Sequence, residues 1–231
     1  MKKTSSALLV FLLLGVTYFA TAQEQPIVKN FSGIVAGGPI DVVVTLGDSE
    51  SCRFEGDAEA IATLLAQVEG TTLVIRPQMS WKSWERKYSD KKITAYVSAK
   101  KLSSFTMSGS GSMEVKGAVN TGELSVVLSG SGNLSLSSKT KNLNAVISGS
   151  GKLNITGEAD NATITLSGSA IFAGKDFSVS NLSAQMSGSG KVNIEVSENI
   201  NAVISGSASI FYTGDPEVKQ TILGSGKVKK V

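Results

Sequence analysis

The sequence predicts an all-β chain: a single-stranded β-helix, or solenoid, of ~19-residue coils, with a less regular β-rich part before it. Three observations predict this. The first is a period. Ser-Gly-Ser-Gly stands at 108–111, 129–132, 148–151 and 187–190, Ser-Gly-Ser-Ala at 167–170 and 205–208, and Gly224-Ser225-Gly226 follows Leu223. The starts are 21, 19, 19, 20, 18 and 18 residues apart, a steady spacing that marks stacked repeats. The second is alternation. Leu143, Ala145 and Ile147 before one glycine corner, and Leu153 and Ile155 after it, follow a period of two, which is a strand with one buried face. The third is corner chemistry. Gly109, Gly130, Gly149, Gly168, Gly188 and Gly206 fall at the same place in each repeat, where stacked backbones need conformations that a Cβ obstructs.

One such unit cannot bury its apolar face alone. Neighbours stacked about 4.8 Å apart make a continuous core. Serines stacked in register can also hydrogen-bond along the ladder. No repeat shows apolar spacing of 3.6, so a helical solenoid is disfavoured.

In chain order, residues 1–22 read as a signal peptide. Met1-Lys2-Lys3 is a basic start, Ala7 to Ala20 an apolar run, and Ala20-Thr21-Ala22 a small-x-small cleavage signal, so the mature chain is expected to begin at Gln23. The run is short for a bilayer span of about 20 residues, and no membrane span is expected after cleavage. The expected organisation is 1–22 signal peptide, 23–106 irregular β-rich N-terminal part or cap, and 107–231 repeats, the last two forming one continuous domain.

Within the N-terminal part, Phe31–Ala36, Asp41–Thr45, Cys52–Glu55, Thr71–Arg76 and Ile93–Val97 read as strands. Asp57 is a candidate cap for a helix over Ala58–Val68, with Ile61, Leu64, Leu65 and Val68 on one face. A stack of coils exposes strand edges at both ends. The N-terminal part is expected to cover one, and Lys227, Lys229 and Lys230 to guard the other.

Composition excludes much chemistry. The formal charge is +3, falling to about +1 without Lys2 and Lys3, so neither a nucleic acid nor a membrane surface is implied as partner. With no histidine, His-based triads and His metal sites are out. Cys52 is the only cysteine, which rules out an internal disulfide and redox pairs and suits a small buried apolar residue. Gly151-Lys152, Gly190-Lys191 and Gly226-Lys227 lack the rest of a phosphate loop. Asp160, Asp176 and Asp215 hold no fixed repeat position, against calcium-binding repeats, and Glu158 with Asp160 reads as a solvated turn rather than an acid pair. No catalytic residue, metal or cofactor is expected.

One stretch stands apart. Residues 81–88 hold Trp81, Trp84, Arg86 and Tyr88, with Lys82 and Lys87 among them. Aromatic faces beside cations stack on sugars or hold anionic polymers, and these four residues are the candidate ligand-binding set. The competing structural reading is a cap that folds its rings onto the end of the solenoid.

Phe31-x-x-Ile34, Ile40-Asp41-Val42-x-Val44, Gly70-x-x-Leu73-x-Ile75 and the serial Ser-Gly-Ser-Gly repeats together resemble the head GIN domain family. That family is found in secreted proteins of Bacteroidetes-type bacteria and is labelled "putative auto-transporter adhesin". The resemblance covers about 27–231. It implies a right-handed β-helix and an exported chain in the periplasm, on the outer surface or outside the cell, and it brings no catalytic or binding motif. Three function classes follow: a non-enzymatic adhesin-like or scaffolding module of the envelope, a glycan-binding protein using 81–88, and, disfavoured, a polysaccharide-processing enzyme. A surface glycan or an envelope protein is the expected kind of partner.

Overall fold

The computed structural model describes residues 26–88 and 90–231; the expected signal peptide and cleavage site lie outside them. Parallel coils stack into a β-solenoid of about seven turns. Its regular part is built by β7 (Ser104–Gly109), β8 (Ser112–Gly130), β9 (Asn133–Gly149), β10 (Lys152–Gly168), β11 (Ile171–Gly188) and β12 (Lys191–Gly206). It is completed by β13 (Ser209–Thr213), β14 (Glu217–Gly224) and β15 (Lys227–Lys230). Neighbours pair in parallel with the repeat in register: Ser129, Ser148, Ser167, Ser187 and Ser205 stack above one another.

The coil from Lys152 to Ala170 shows how the sequence makes the shape. Leu153, Ile155, Ala159, Ala162, Ile164, Leu166 and Ala170 are buried, so the chain alternates along three straight pieces. These meet at Gly157, at Asn161 and at Gly168. The first and last of these bends take positive φ, +108° and +89°. Stacking puts like on like, and the core of one coil continues into the next.

The glycine corner explains why the repeat tolerates alanine at its fourth position but not at its second. Gly149 has φ +103°, and a Cβ there would lie 2.5 Å from the Gly130 carbonyl oxygen. That oxygen accepts the Ser150 N–H at 2.9 Å, so it cannot retreat without losing a bond. Every corner from Gly109 to Gly206 repeats the positive φ. At the fourth position the φ is ordinary and the side chain points inward, and Ala170 and Ala208 are fully buried there.

The N-terminal part extends the same stack, though not in chain order. β1 (Gly33–Gly37) and β2 (Asp41–Leu46) form the rung beneath β7 and β8. Beneath them lie β5 (Thr72–Pro77) and β6 (Ile93–Ala99), still parallel. Below those, β3 (Ser51–Gly56) and β4 (Leu64–Glu69) run antiparallel to β6 and β5. This reversed rung closes the N-terminal end of the sheet.

The helix expected over Ala58–Val68 needs correcting. Asp57 does cap a helix, its Oδ1 accepting the Ala60 N–H at 3.0 Å, but α1 stops at Ile61 (Ala58–Ile61). Leu64 to Glu69 is strand β4 instead, joined to β5 through Gly70 at φ +61°. The reason is tertiary. A helix here would leave the backbone of β5 without a partner on its outer edge, whereas β4 satisfies it. Short apolar spacings fit both periods, and pairing decides.

Cys52 lies fully buried in β3. Burial pushes its thiol up from 9.0 to about 12, so it packs as a small apolar side chain.

Candidate binding faces

Residues 81–88 form a helix, α2 (Trp81–Tyr88), at the corner between β5 and β6 where other coils have glycine. Trp84 and Tyr88, one turn apart, are 0% and 2% exposed, with ring centroids 5.4 Å apart. Trp84 donates its indole N–H to Thr63 Oγ1 at 2.8 Å. Tyr88 donates its hydroxyl to Glu59 Oε1 at 3.2 Å, and Lys87 Nζ reaches the same oxygen at 2.7 Å. These bonds hold the Glu59 carboxyl below its usual range, Lys87 being the largest cause, and raise Lys87 in turn. A further ion pair joins Lys91 to Asp57 at 3.3 Å. Of the candidate set, then, Trp84 and Tyr88 turn inward against α1, Arg86 is exposed, and Trp81 opens the helix. Rings enclosed in this way offer no face to a sugar.

The carboxylates considered as a pair are also separated in role. Glu158 is held by Lys139 Nζ at 2.6 Å across adjacent coils. Both line an open groove of about 740 Å³ with Asp160, Lys141 and Glu195. Along the stack the lysines of β9 face the acids of β10, serines follow on β11, and Glu195 stands on β12. Among the described residues no cluster of Cys, Asp and Glu is placed to hold a metal ion.

Sequence reading passed over an asparagine ladder. Asn142 donates to Glu123 Oε1 at 2.6 Å, Asn161 to Asn142 Oδ1 at 3.0 Å, Asn181 to Asn161 Oδ1 at 3.2 Å, and Asn199 to Asn181 Oδ1 at 2.8 Å. The signal was present: these asparagines recur at the spacing of the glycines, between the same two strand pieces. Each carboxamide is both donor and acceptor, which lets one residue type serve every rung.

A third feature is the side of the solenoid between this ladder and the glycine corner. Its outward positions form two rows in register. Ser104, Ser125, Asn144, Thr163, Ser183 and Asn201 make one, and Thr106, Val127, Val146, Thr165, Gln185 and Val203 the other. The serines of the corners border it. The strands β7–β12 carry no charge on these rows, which continue into Lys219 and Thr221 of β14 and shape an open hollow of about 390 Å³ there.

A family model described as "Putative auto-transporter adhesin, head GIN domain" matches residues 30–216. The chain belongs to the head GIN domain family. Solved structures share the fold of this GIN domain. A putative adhesin from Bacteroides fragilis superposes with a TM-score of 0.81 at 22% identity, covering 90% of this chain and 95% of that one. A putative lipid binding protein from Parabacteroides distasonis gives 0.69 at 22% identity, with the same 90% and 95% covered. A putative adhesin from Parabacteroides merdae gives 0.70 at 19% identity, again with 90% and 95% covered. At these identities the likeness is one of fold. No curated protein matches the chain.

Proposed function

We propose that this chain is an exported, non-enzymatic adhesion module that holds a partner surface against the two uncharged rows of β7–β12. Those two rows carry the reading. They present hydroxyls, carboxamides and β-branched side chains in register across six parallel strands. A face fixed by the backbone ladder loses little freedom on binding, which favours contact with an extended partner. Hydroxyls and carboxamides both donate and accept, so the face suits a glycan or an envelope protein. The family description, and that of two of the similar structures as adhesins, support the same reading. The apolar run before Ala22 supports export.

For 81–88, the enclosure of Trp84 and Tyr88 supports reading α2 as the cap of the N-terminal end. A sugar would be left with exposed Arg86 but without those rings.

The test is adhesion of the purified mature protein to bacterial cells and to immobilised envelope glycans. Val146→Glu with Thr165→Glu is expected to abolish adhesion while the melting temperature stays within a few degrees. Adhesion unchanged by both charges would overturn the assignment of the face. Turnover of a polysaccharide that Glu158→Gln abolishes would replace it with an enzyme. Export is tested by the mass of the protein recovered outside the cytoplasm, expected to begin at Gln23.

A further inference from the structure

The two ends of the stack are finished differently. At the N-terminal end the outermost rung, β3 and β4, is reversed, and α1 and α2 sit at the corners nearby. At the other end β14 and β15 form an ordinary parallel rung that pairs on one side only, with β12 and β13. Each therefore carries a row of unpaired N–H and C=O groups. The core also shows there. Val218, Ile222 and Val228 stand directly above Ile200, Ile204 and Ile210. The lower three are at most 1% exposed, whereas the upper three are only half-buried. Leu223 takes the place of the corner serine and is 67% exposed.

Between Val218 and Ile222 lies Gln220. It ends a core column that runs through Ala145, Ile164, Ala184 and Ala202 in the coils below. Apolar residues give way to an exposed carboxamide at the last rung.

We propose that this edge binds a second copy of itself, the two β14 strands running antiparallel about a two-fold axis through Gln220. Three features fit that occupant. The first is shape. A coil climbs one strand spacing per turn, about 4.8 Å, so the last rung ends in a step at the corner after β15. That corner lies across from the middle of β14, and a ramp cut there matches its own copy about an axis through that middle. β15 of each copy then lies over residues 213–216 of the other. The second is register. With Gln220 opposite its own copy, Val218 faces Ile222 and Ile222 faces Val218, apolar on apolar. A carboxamide donates and accepts, so the two glutamines pair with each other.

The third is charge. On the outward face Glu217 lies opposite Leu223 and Lys219 opposite Thr221, so no like charges are directly opposed. Lys219 keeps its own Glu217 at 3.1 Å. An axis through β15 would instead set lysine on lysine, either Lys227 against Lys229 or Lys229 against itself. These lysines thus exclude the wrong pairing and leave the right one open. A hydrocarbon surface would leave the backbone groups of β14 and β15 unpaired. The inference does not rest on the adhesion reading, since the contact uses strand edges rather than the two uncharged rows.

Gel filtration with light scattering on the mature protein is the first test, and a dimer with a dissociation constant of about 10 µM or tighter is expected. Gln220→Glu puts two carboxylates opposite each other and is expected to weaken the dimer at least tenfold at neutral pH, with an unchanged circular dichroism spectrum. Gln220→Cys gives a readout independent of affinity. On mild oxidation it is expected to link two copies, since opposed positions of an antiparallel pair fall within disulfide reach, while Lys229→Cys stays unlinked. Cys52 is buried and takes no part. A monomer at about 100 µM, a dimer indifferent to Gln220→Glu, linking through Lys229→Cys in preference, or assemblies larger than two copies would each overturn the proposal. Linkage of Gln220→Cys in cells to a different protein would give the edge to that partner instead.

Discussion

Thr63 Oγ1 accepts the indole N–H of Trp84 at 2.8 Å while donating its own hydrogen to the Ala60 carbonyl at 2.6 Å. One hydroxyl therefore joins the end of α1 to the middle of α2, and the two helical corners of the N-terminal rungs become a single piece. Around that link Tyr88 packs against Trp84 with the rings tilted by 48°, and Glu59 gathers Lys87.

Trp84→Ala should therefore lower stability by about 3–5 kcal/mol, the range for truncating a buried large aromatic. Thr63→Val should cost about 1 kcal/mol through the lost hydrogen bonds. Arg86→Ala, two residues on and exposed, should stay within about 0.5 kcal/mol. Urea midpoints measured on the three variants check this; an unmoved midpoint for Trp84→Ala would take α2 out of the core.

At the glycine corner, Gly149→Val should destabilise by clearly more than the roughly 1 kcal/mol of an average substitution, since two costs add. Positive φ is strained for a β-branched residue, and the new Cβ meets the Gly130 carbonyl oxygen at 2.5 Å. Gly122→Ala is the control: its Cβ meets nothing within 4 Å. Equal melting temperatures for the two variants would contradict the stacked corner.

Asn161 sits inside the carboxamide ladder, donating to Asn142 and accepting from Asn181. Asn161→Ala removes both bonds and should cost about 1–2 kcal/mol. Asn199→Ala, which removes only the bond to Asn181, should cost about half as much. Chemical denaturation of the pair distinguishes a ladder from isolated surface amides, which would give no difference.

Cys52 gives the protein a pH dependence at the alkaline end. Its folded pKa, about 12, lies above the ordinary 9.0, so the folded state keeps a proton that the unfolded chain gives up. The stabilisation is whole below about pH 9 and is lost as pH rises toward about 12. The slope approaches ~1.4 kcal/mol per pH unit. Subtracting the pH profile of Cys52→Ala from that of the wild type isolates this slope from lysine and tyrosine titration. A flat difference between about pH 9 and 11 would show a solvated thiol instead.

The coil, its alternation and its glycine corner were legible because each rests on one period repeated many times. Leu143, Ala145 and Ile147 alternate in the same frame as Leu182, Ala184 and Met186, so local propensity and long-range register agree. The N-terminal part was less so, because its rungs are assembled out of chain order. Nothing between Asp57 and Val68 states that β4 must run backwards along β5; the unpaired edge that demands it belongs to another segment. The same holds for 81–88. Trp84 and Tyr88 share a helix face at a spacing of four, which fits either a ligand platform or a buried seam, and only the position of Thr63 and Glu59 separates the two. The asparagine ladder was visible in the letters, yet asparagine also populates turns and solvated faces, which hid it.

The carbonyl-to-glycine fit at the corners has one more consequence, for how such a protein can change its length. A Cβ at Gly149, Gly168 or Gly188 would meet the carbonyl of the coil below at the same 2.5 Å, so these junctions are interchangeable. A tandem duplication of one coil between Gly151 and Lys152 presents each neighbour with a surface it already matches. Each added unit lengthens the molecule by one strand spacing, about 4.8 Å, and adds one residue to each of the two uncharged rows while leaving the N-terminal rungs untouched. Reach can thus be adjusted in fixed steps by copying sequence alone, as one adds rungs to a ladder whose feet stay where they are.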